Sequence, residues 1–211
     1  MIKNIIFDFG GVLLDLNYNL TFQALSQIIN VPMVHHDIPS DIDHVMKEYE
    51  MGKMKTETFL WNLQRKQKVK TPQPYQLIKA WNKMLLGWNP KRFDFLEALK
   101  KDYKVYLLSN TNELHIEWVL RDLKKNHGIT DFDTRYFDKT FYSHNMLMRK
   151  PDINIYQKLI EETKISPEES LFIDDNFDNV QGAKMAGLNA VVHDPAKEII
   201  DELEGYLRNY I

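Results

Sequence analysis

The 211-residue sequence predicts an α/β protein: an open parallel sheet as the core, with an all-helical block inserted after the first strand. Three observations carry that prediction. From residue 89 onward, short β-rich apolar runs alternate with amphipathic stretches of helical period, the order that crossover-connected parallel strands require. Between 17 and 88 the alternation is missing, and apolar positions recur at three- and four-residue spacing. Three of the apolar runs end in polar residues of matched type, at what would be one edge of the sheet. The predicted division is a core of residues 1–16 and 89–211 and a helical cap at 17–88.

Residues 2–8 (IKNIIFD) form a β-branched and aromatic run that stops at Asp8 and meets Gly10 and Gly11, as a buried strand entering a tight turn would. In the cap, LTFQALSQII and ETFLWNLQRK have helical period, and the Pro-containing TPQPYQ at 71–76 reads as a loop between helices. FDFLEALKKD then gives a helix, KVYLLSN a strand, the stretch from Glu113 a longer helix and KTFYSHN a strand. PDINIYQKLIEET, LFIDD, NVQGAKMAG and NAVVHD continue as helix, strand, helix and strand, before a C-terminal amphipathic helix.

Apolar residues at 44% and charged residues at 27% place the chain in the ordinary globular band. With 27 Lys and Arg against 30 Asp and Glu, the net charge of -3 is too balanced for a nucleic-acid or anionic-membrane binder. The lack of Cys removes disulfides, thiolate zinc sites, iron–sulfur ligation and cysteine nucleophiles together. The first apolar run reaches Asp8 too early for a signal-peptide core and falls far short of the ~20 residues that span a bilayer. These features fit a soluble, cytoplasmic protein, monomer or homodimer, whose partner is a small molecule.

The runs IIFD, YLLSN and LFIDD end at Asp8, at Ser109 and Asn110, and at Asp174 and Asp175. Ligands of open parallel sheets bind beyond the carboxyl ends of the strands, so these five residues are expected on one rim. Three carboxylates in a small volume repel and call for a cation; an oxygen-only donor set favours Mg²⁺ over Ca²⁺. Lys150, in LMRKPDINIY, precedes Pro151 and a helix, which places its ammonium near the same edge. An aspartate nucleophile, a divalent cation, hydroxyl and amide donors and a lysine are what phosphoryl transfer requires. Taken singly, each residue could equally be a cap, a turn former or a surface charge.

Jointly, the motifs resemble those of the haloacid dehalogenase superfamily of hydrolases, whose Rossmann-like core carries a helical cap after the first motif. FDFGGVLLD resembles the first motif, LLSNTN the second, RKP the third and FIDDNFDN the fourth. The details YEMGKMKTETF, LSNTNELH, MRKPDINIYQ and DDNFDNVQGAKMAG resemble the branch containing bacterial glucose-1-phosphate phosphatase and the N-terminal phosphatase domain of soluble epoxide hydrolases. The resemblance implies a phosphatase of small phosphate esters, sugar phosphates foremost, with Asp8 as nucleophile. It implies that Ser109 and Asn110 bind the transferring group, with Gly11 also at the substrate, and that Lys150 neutralises charge and orients Asp8. Mg²⁺ would be held by Asp8, the Gly10 carbonyl and Asp175, with Asp174 as a further metal or supporting ligand and Asn179 buttressing the lysine or the metal.

One position departs from the family. Its phosphatases usually carry a second Asp two residues after the nucleophile, which protonates the leaving alcohol and activates the hydrolytic water; here that residue is Gly10. Loss of such a proton shuttle lowers rates by about 10²–10⁴-fold, and restoring it with Gly10→Asp is expected to raise turnover. Asp15 is a candidate substitute acid, weighed against a solvated loop role. Two other readings accompany the phosphatase. Haloacid dehalogenation dispenses with the second Asp and with metal, and a weakly active phosphate-ester-binding protein would have shed the shuttle.

The segment HHDIPSDIDH gathers His35, His36, Asp37, Asp41, Asp43 and His44, as a metal site would, but Pro39 and Ser40 mark it as a turn with scattered side chains. Trp61, Trp81 and Trp88 are expected to fill a helical core rather than line a pocket. His115 either caps a helix or reaches the site.

Overall fold

A computed structural model describes residues 1–67 and 69–210. Strand β1 (Asn4–Phe7) runs into the short strand β2 (Asp15–Leu16) and then into helices α1 (Tyr18–Ile29), α2 (Ser40–Glu50), α3 (Thr56–Gln64) and α4 (Pro74–Trp81). The chain returns through β3 (Leu85–Gly87), antiparallel to β2, into α5 (Lys91–Leu99), β4 (Lys104–Ser109) and α6 (Glu113–Asp122). It continues through α7 (Phe132–Arg135), β5 (Lys139–Tyr142), α8 (Ser143–Met146), α9 (Ile153–Thr163) and β6 (Ser170–Asp174). The last elements are α10 (Phe177–Met185), β7 (Asn189–Val192) and α11 (Ile199–Arg208).

Five strands form one parallel sheet in the order β5-β4-β1-β6-β7. All four residues of central β1 are buried, which is why its sequence is a continuous apolar run. Side chains alternate across the sheet. Ile5, Phe7, Val105, Leu107, Leu171 and Ile173 pack on one face with α5 and α11, and Ile6, Leu108 and Phe172 pack on the other with α9 and α10. Phe7 lies level with Leu107 of β4 and Ile173 of β6. The residues that follow, Asp8, Leu108 and Asp174, therefore emerge side by side at the carboxyl edge.

Helices α1 to α4 bury their own core, with Phe22, Leu25, Met46, Phe59, Leu77 and Trp81 among its members. Trp88 instead joins the main core, its ring 5.3 Å from Phe9, while Trp61 is half exposed beneath the Arg65 guanidinium. The segment 17–88 is not wholly helical: Leu85–Gly87 is a strand. The two chain crossings of the neck lie side by side, and pairing satisfies backbone groups that would otherwise be orphaned there. Two further boundaries shift. Pro74, expected in a loop, starts α4, where its missing N–H is no loss; Ser143–Met146, expected to prolong a strand, forms a helical turn. Among the described residues, no helix is long and apolar enough to cross a membrane.

Candidate active site

Asp8, one residue past β1, donates its backbone N–H to Ile173 O at 2.8 Å and is almost fully buried. The Lys150 ammonium, itself 1% exposed, reaches Asp8 Oδ1 at 2.7 Å, Asp174 Oδ2 at 2.6 Å and the Leu108 carbonyl at 2.9 Å. All three of its N–H groups are thus placed by the ends of three neighbouring strands. Asn110 fixes the lysine's backbone, its side chain donating to Lys150 O at 2.9 Å and accepting from Lys150 N at 2.8 Å. The Asn110 amide expected to bind a ligand is therefore engaged in holding the loop.

Asp174 is fully buried and bonded on both oxygens. Besides Lys150 it accepts from the Asn176 backbone N–H at 2.8 Å and from Asn179 Nδ2 at 3.0 and 3.1 Å. These bonds keep it as the counter-ion of Lys150 and leave little room for direct contact with a metal. Asp175 lies nearer the surface, over Gly11. One ligand oxygen from each of Asp8, Asp174 and Asp175 lies within 4.8 Å of the others.

Three carboxylates share one ammonium. Burial, then Asp174, raises the Asp8 carboxyl far above its ordinary range against the opposing pull of Lys150. Burial and Asp174 likewise push Asp175 up to about 6. Burial pulls Lys150 down, but Asp174 and Asp8 more than reverse this and keep it charged. The cluster has an excess of hard, oxygen-based negative charge, and a small divalent cation fits it.

Gly11 has φ +76°, and a Cβ there would lie 2.4 Å from Asp175 Oδ2. Expected at the substrate, it does not line the cavity but instead forms the surface on which Asp175 rests. Gly11→Ala should lose at least about 1–2 kcal/mol from the left-handed backbone alone, with displacement of Asp175 added; urea denaturation measures the loss.

The rim opens on a cavity of about 520 Å³ between core and cap, lined by Asp8, Ser109, Lys150 and Asp175 below and by Tyr18 and Glu50 above. Among the described residues nothing hydrogen-bonds the Ser109 hydroxyl, which is free to donate into this space. Gly10 lines the cavity too, but a Cβ at this position would lie 2.3 Å from Leu16 Cδ1. The sequence alone suggested that Gly10→Asp would raise turnover; with the flexible end of Leu16 in that direction, the substitution requires Leu16 to turn aside and should leave turnover unchanged or lower at a stability cost of about 1 kcal/mol. Steady-state assay and thermal melting read both effects.

Several sequence candidates find other partners. Asp15 pairs with the buried Arg92 at 2.7 Å, which also holds Glu198 at 2.9 Å and the Leu13 carbonyl at 3.0 Å. It stands at the neck and does not line the cavity. His115 is bonded on both ring nitrogens, to Asn112 Nδ2 at 3.1 Å and the Trp81 carbonyl at 3.3 Å, and stacks on Trp81, so it ties core to cap. Burial lowers its pKa to about 4 and keeps it neutral. In the HHDIPSDIDH segment, Asp41 pairs with Lys66 and Asp43 with Lys47, while His35 and His36 sit at a turn closed between Val34 and Asp37. No metal-type cluster forms in this segment among the described residues.

Two features escaped the sequence reading. Tyr18 sits at the start of α1, where burial, then Asp175 and Asp8, raise its hydroxyl far above the ordinary value. Glu50, at the end of α2, accepts from Arg149 at 3.1 Å and pins the cap to the loop that carries Lys150. The RK doublet before Pro151 was the one available signal for the second.

A family model described as haloacid dehalogenase-like hydrolase matches residues 2–187. The chain is 31% identical over 193 residues, covering 89% of both proteins, to a D-ribitol-5-phosphate phosphatase of Bacteroides thetaiotaomicron. Its structure resembles that of a HAD family enzyme of Bacteroides thetaiotaomicron in complex with magnesium and inorganic phosphate, with TM-score 0.82, 28% identity and coverage of 94% and 97% of the two chains. It also resembles a HAD-like family hydrolase of Porphyromonas gingivalis, with TM-score 0.80, 29% identity and coverage of 99% and 98%.

Proposed function

This chain belongs to the haloacid dehalogenase-like hydrolase family, and we propose that it is a Mg²⁺-dependent phosphatase of small phosphorylated metabolites that works through an aspartyl phosphate on Asp8. Sugar and sugar-alcohol phosphates are the favoured substrates; the relative that acts on D-ribitol 5-phosphate supports this class. One observation carries the reading. Lys150 holds Asp8 by Oδ1, and Asp8 faces a cavity large enough for a small ester.

In this scheme the other Asp8 oxygen attacks phosphorus in line with the leaving oxygen. The Ser109 hydroxyl holds an equatorial oxygen and the Lys150 charge offsets that of the transferring group, while Asp174, Asn179 and Asn110 keep the lysine in place. Asp8, Asp175 and the Gly10 carbonyl would hold Mg²⁺, which neutralises the charge of the phosphate and of the clustered acids. The cap, carrying Tyr18 and Glu50, excludes water from the nucleophile.

The test is phosphate release from a panel of sugar, polyol and simple alkyl phosphates, with Mg²⁺ and with EDTA. Release that depends on Mg²⁺ is expected. Dechlorination of 2-haloacids that persists in EDTA, without phosphate release, would replace this reading with the dehalogenase one.

A further inference from the structure

We propose that His35, on the cap, carries out the proton transfers for which position 10 has no side chain: it protonates the leaving alcohol and then takes a proton from the hydrolytic water. The inference rests on the phosphatase reading.

An oxygen leaving in line with Asp8 departs away from the core, toward the cap wall of the cavity, and position 10, from which the core would reach it, is glycine. The ionisable side chains of that wall are Tyr18 of α1, His35 and His36 of the turn, and Asp43, Lys47 and Glu50 of α2. Asp43 and Lys47 pair with each other, and Glu50 with Arg149. Tyr18 is covered by the His35 ring, and a phenol, with an ordinary pKa of about 10, stays protonated near neutral pH and cannot cycle. His36 is exposed at the tip of the turn.

His35 is left, and it is placed. The backbone pair Val34 N to Asp37 O at 3.1 Å and Asp37 N to Val34 O at 2.9 Å closes the turn beneath it. Its ring lies flat on Tyr18, centroids 4.2 Å apart and planes 3° from parallel, with Phe22 at 5.9 Å. Tyr18 in turn lines the same cavity as Asp8 and Asp175. Stacking fixes the imidazole plane and leaves both nitrogens without a hydrogen-bond partner among the described residues. Burial, then the neighbouring His36, lowers the pKa of His35, which makes its imidazolium the stronger acid.

The steps balance. As Asp8 forms its bond to phosphorus and the ester P–O bond breaks, the imidazolium gives its proton to the leaving oxygen, releasing the alcohol. Neutral His35 then takes a proton from water as the water oxygen attacks phosphorus. The bond from phosphorus to Asp8 breaks, and inorganic phosphate, the Asp8 carboxylate and the imidazolium are regenerated.

Leaving-group dependence tests this. p-Nitrophenolate departs without a proton, whereas an alkoxide needs one. His35→Gln and His35→Phe, the second retaining the stacked ring, are expected to lower kcat on a polyol phosphate by about 10²-fold. With p-nitrophenyl phosphate both should leave the rate of the first-turnover burst of p-nitrophenolate essentially unchanged while slowing steady-state turnover, and both should flatten the alkaline limb of the kcat/KM profile on the polyol phosphate. Equal losses of the first-turnover rate on the two substrates, a change confined to KM, or full polyol-phosphate turnover by His35→Phe would overturn the proposal while leaving the phosphatase intact. A wild type inactive on both esters would instead overturn the phosphatase reading, and this inference with it.

Discussion

Asp8→Asn is expected to lower phosphate-ester turnover by about 10⁴-fold or more, while the metal-free protein stays at least as stable as the wild type near neutral pH. The amide is a poor nucleophile, which accounts for the first effect. The second follows from linkage. Asp8 and Asp175 have folded pKa values above their ordinary ones, that of Asp175 being about 6. The folded protein thus binds more protons than the unfolded chain between the ordinary carboxylate pKa and the raised one. Stability falls as pH rises through that window. Asn at position 8 removes one of the repelling charges and keeps the pairing of Lys150 with Asp174. Thermal melting with and without Mg²⁺ checks this. The wild type should gain stability from Mg²⁺, more at neutral pH than at pH about 5, since ligands must be deprotonated; the variant should gain little. A variant less stable than wild type without metal would contradict this picture of crowded carboxylates.

Lys150→Met should be the most damaging single change to the fold. Methionine fills similar space but leaves Asp8 and Asp174 facing each other without a cation, and breaking a buried pair in this way costs about 3–5 kcal/mol. Both acids then favour their protonated forms more strongly, so the variant is expected to recover stability as pH falls, opposite to ordinary acid denaturation. Turnover should fall with it, because the equatorial oxygens lose their fixed positive charge. Urea denaturation at two pH values measures the loss and its sign. A loss below about 1 kcal/mol, the range of an exposed ion pair, would mean that the lysine is not the organising charge.

The legible parts of this molecule were those written in short stretches of sequence. Alternating strands and helices gave the parallel core, and the ends of β1, β4 and β6 gave Asp8, Ser109, Asp174 and Asp175, because a strand's last residue fixes where its side chain emerges. Lys150 was legible through its position before Pro151 and α9. The neck ribbon was not, since β2 and β3 are too short to show a period and exist through their pairing. Nor was the work of Asn110, whose side chain is assigned by a backbone 40 residues away. Asp15 looked like a free acid until Arg92, 77 residues on, was seen to claim it. Tyr18 and His35 come to line the cavity above the core acids through cap packing, which no local pattern encodes.

The stereochemical course at phosphorus tests the central claim most directly. A phosphorothioate monoester made chiral at phosphorus with sulfur and two oxygen isotopes, hydrolysed by the wild type in water of the third isotope, should give thiophosphate of retained configuration, the sum of one inversion at Asp8 and a second at water. Inverted thiophosphate would mean that water attacks the ester itself and that Asp8 never carries the phosphoryl group.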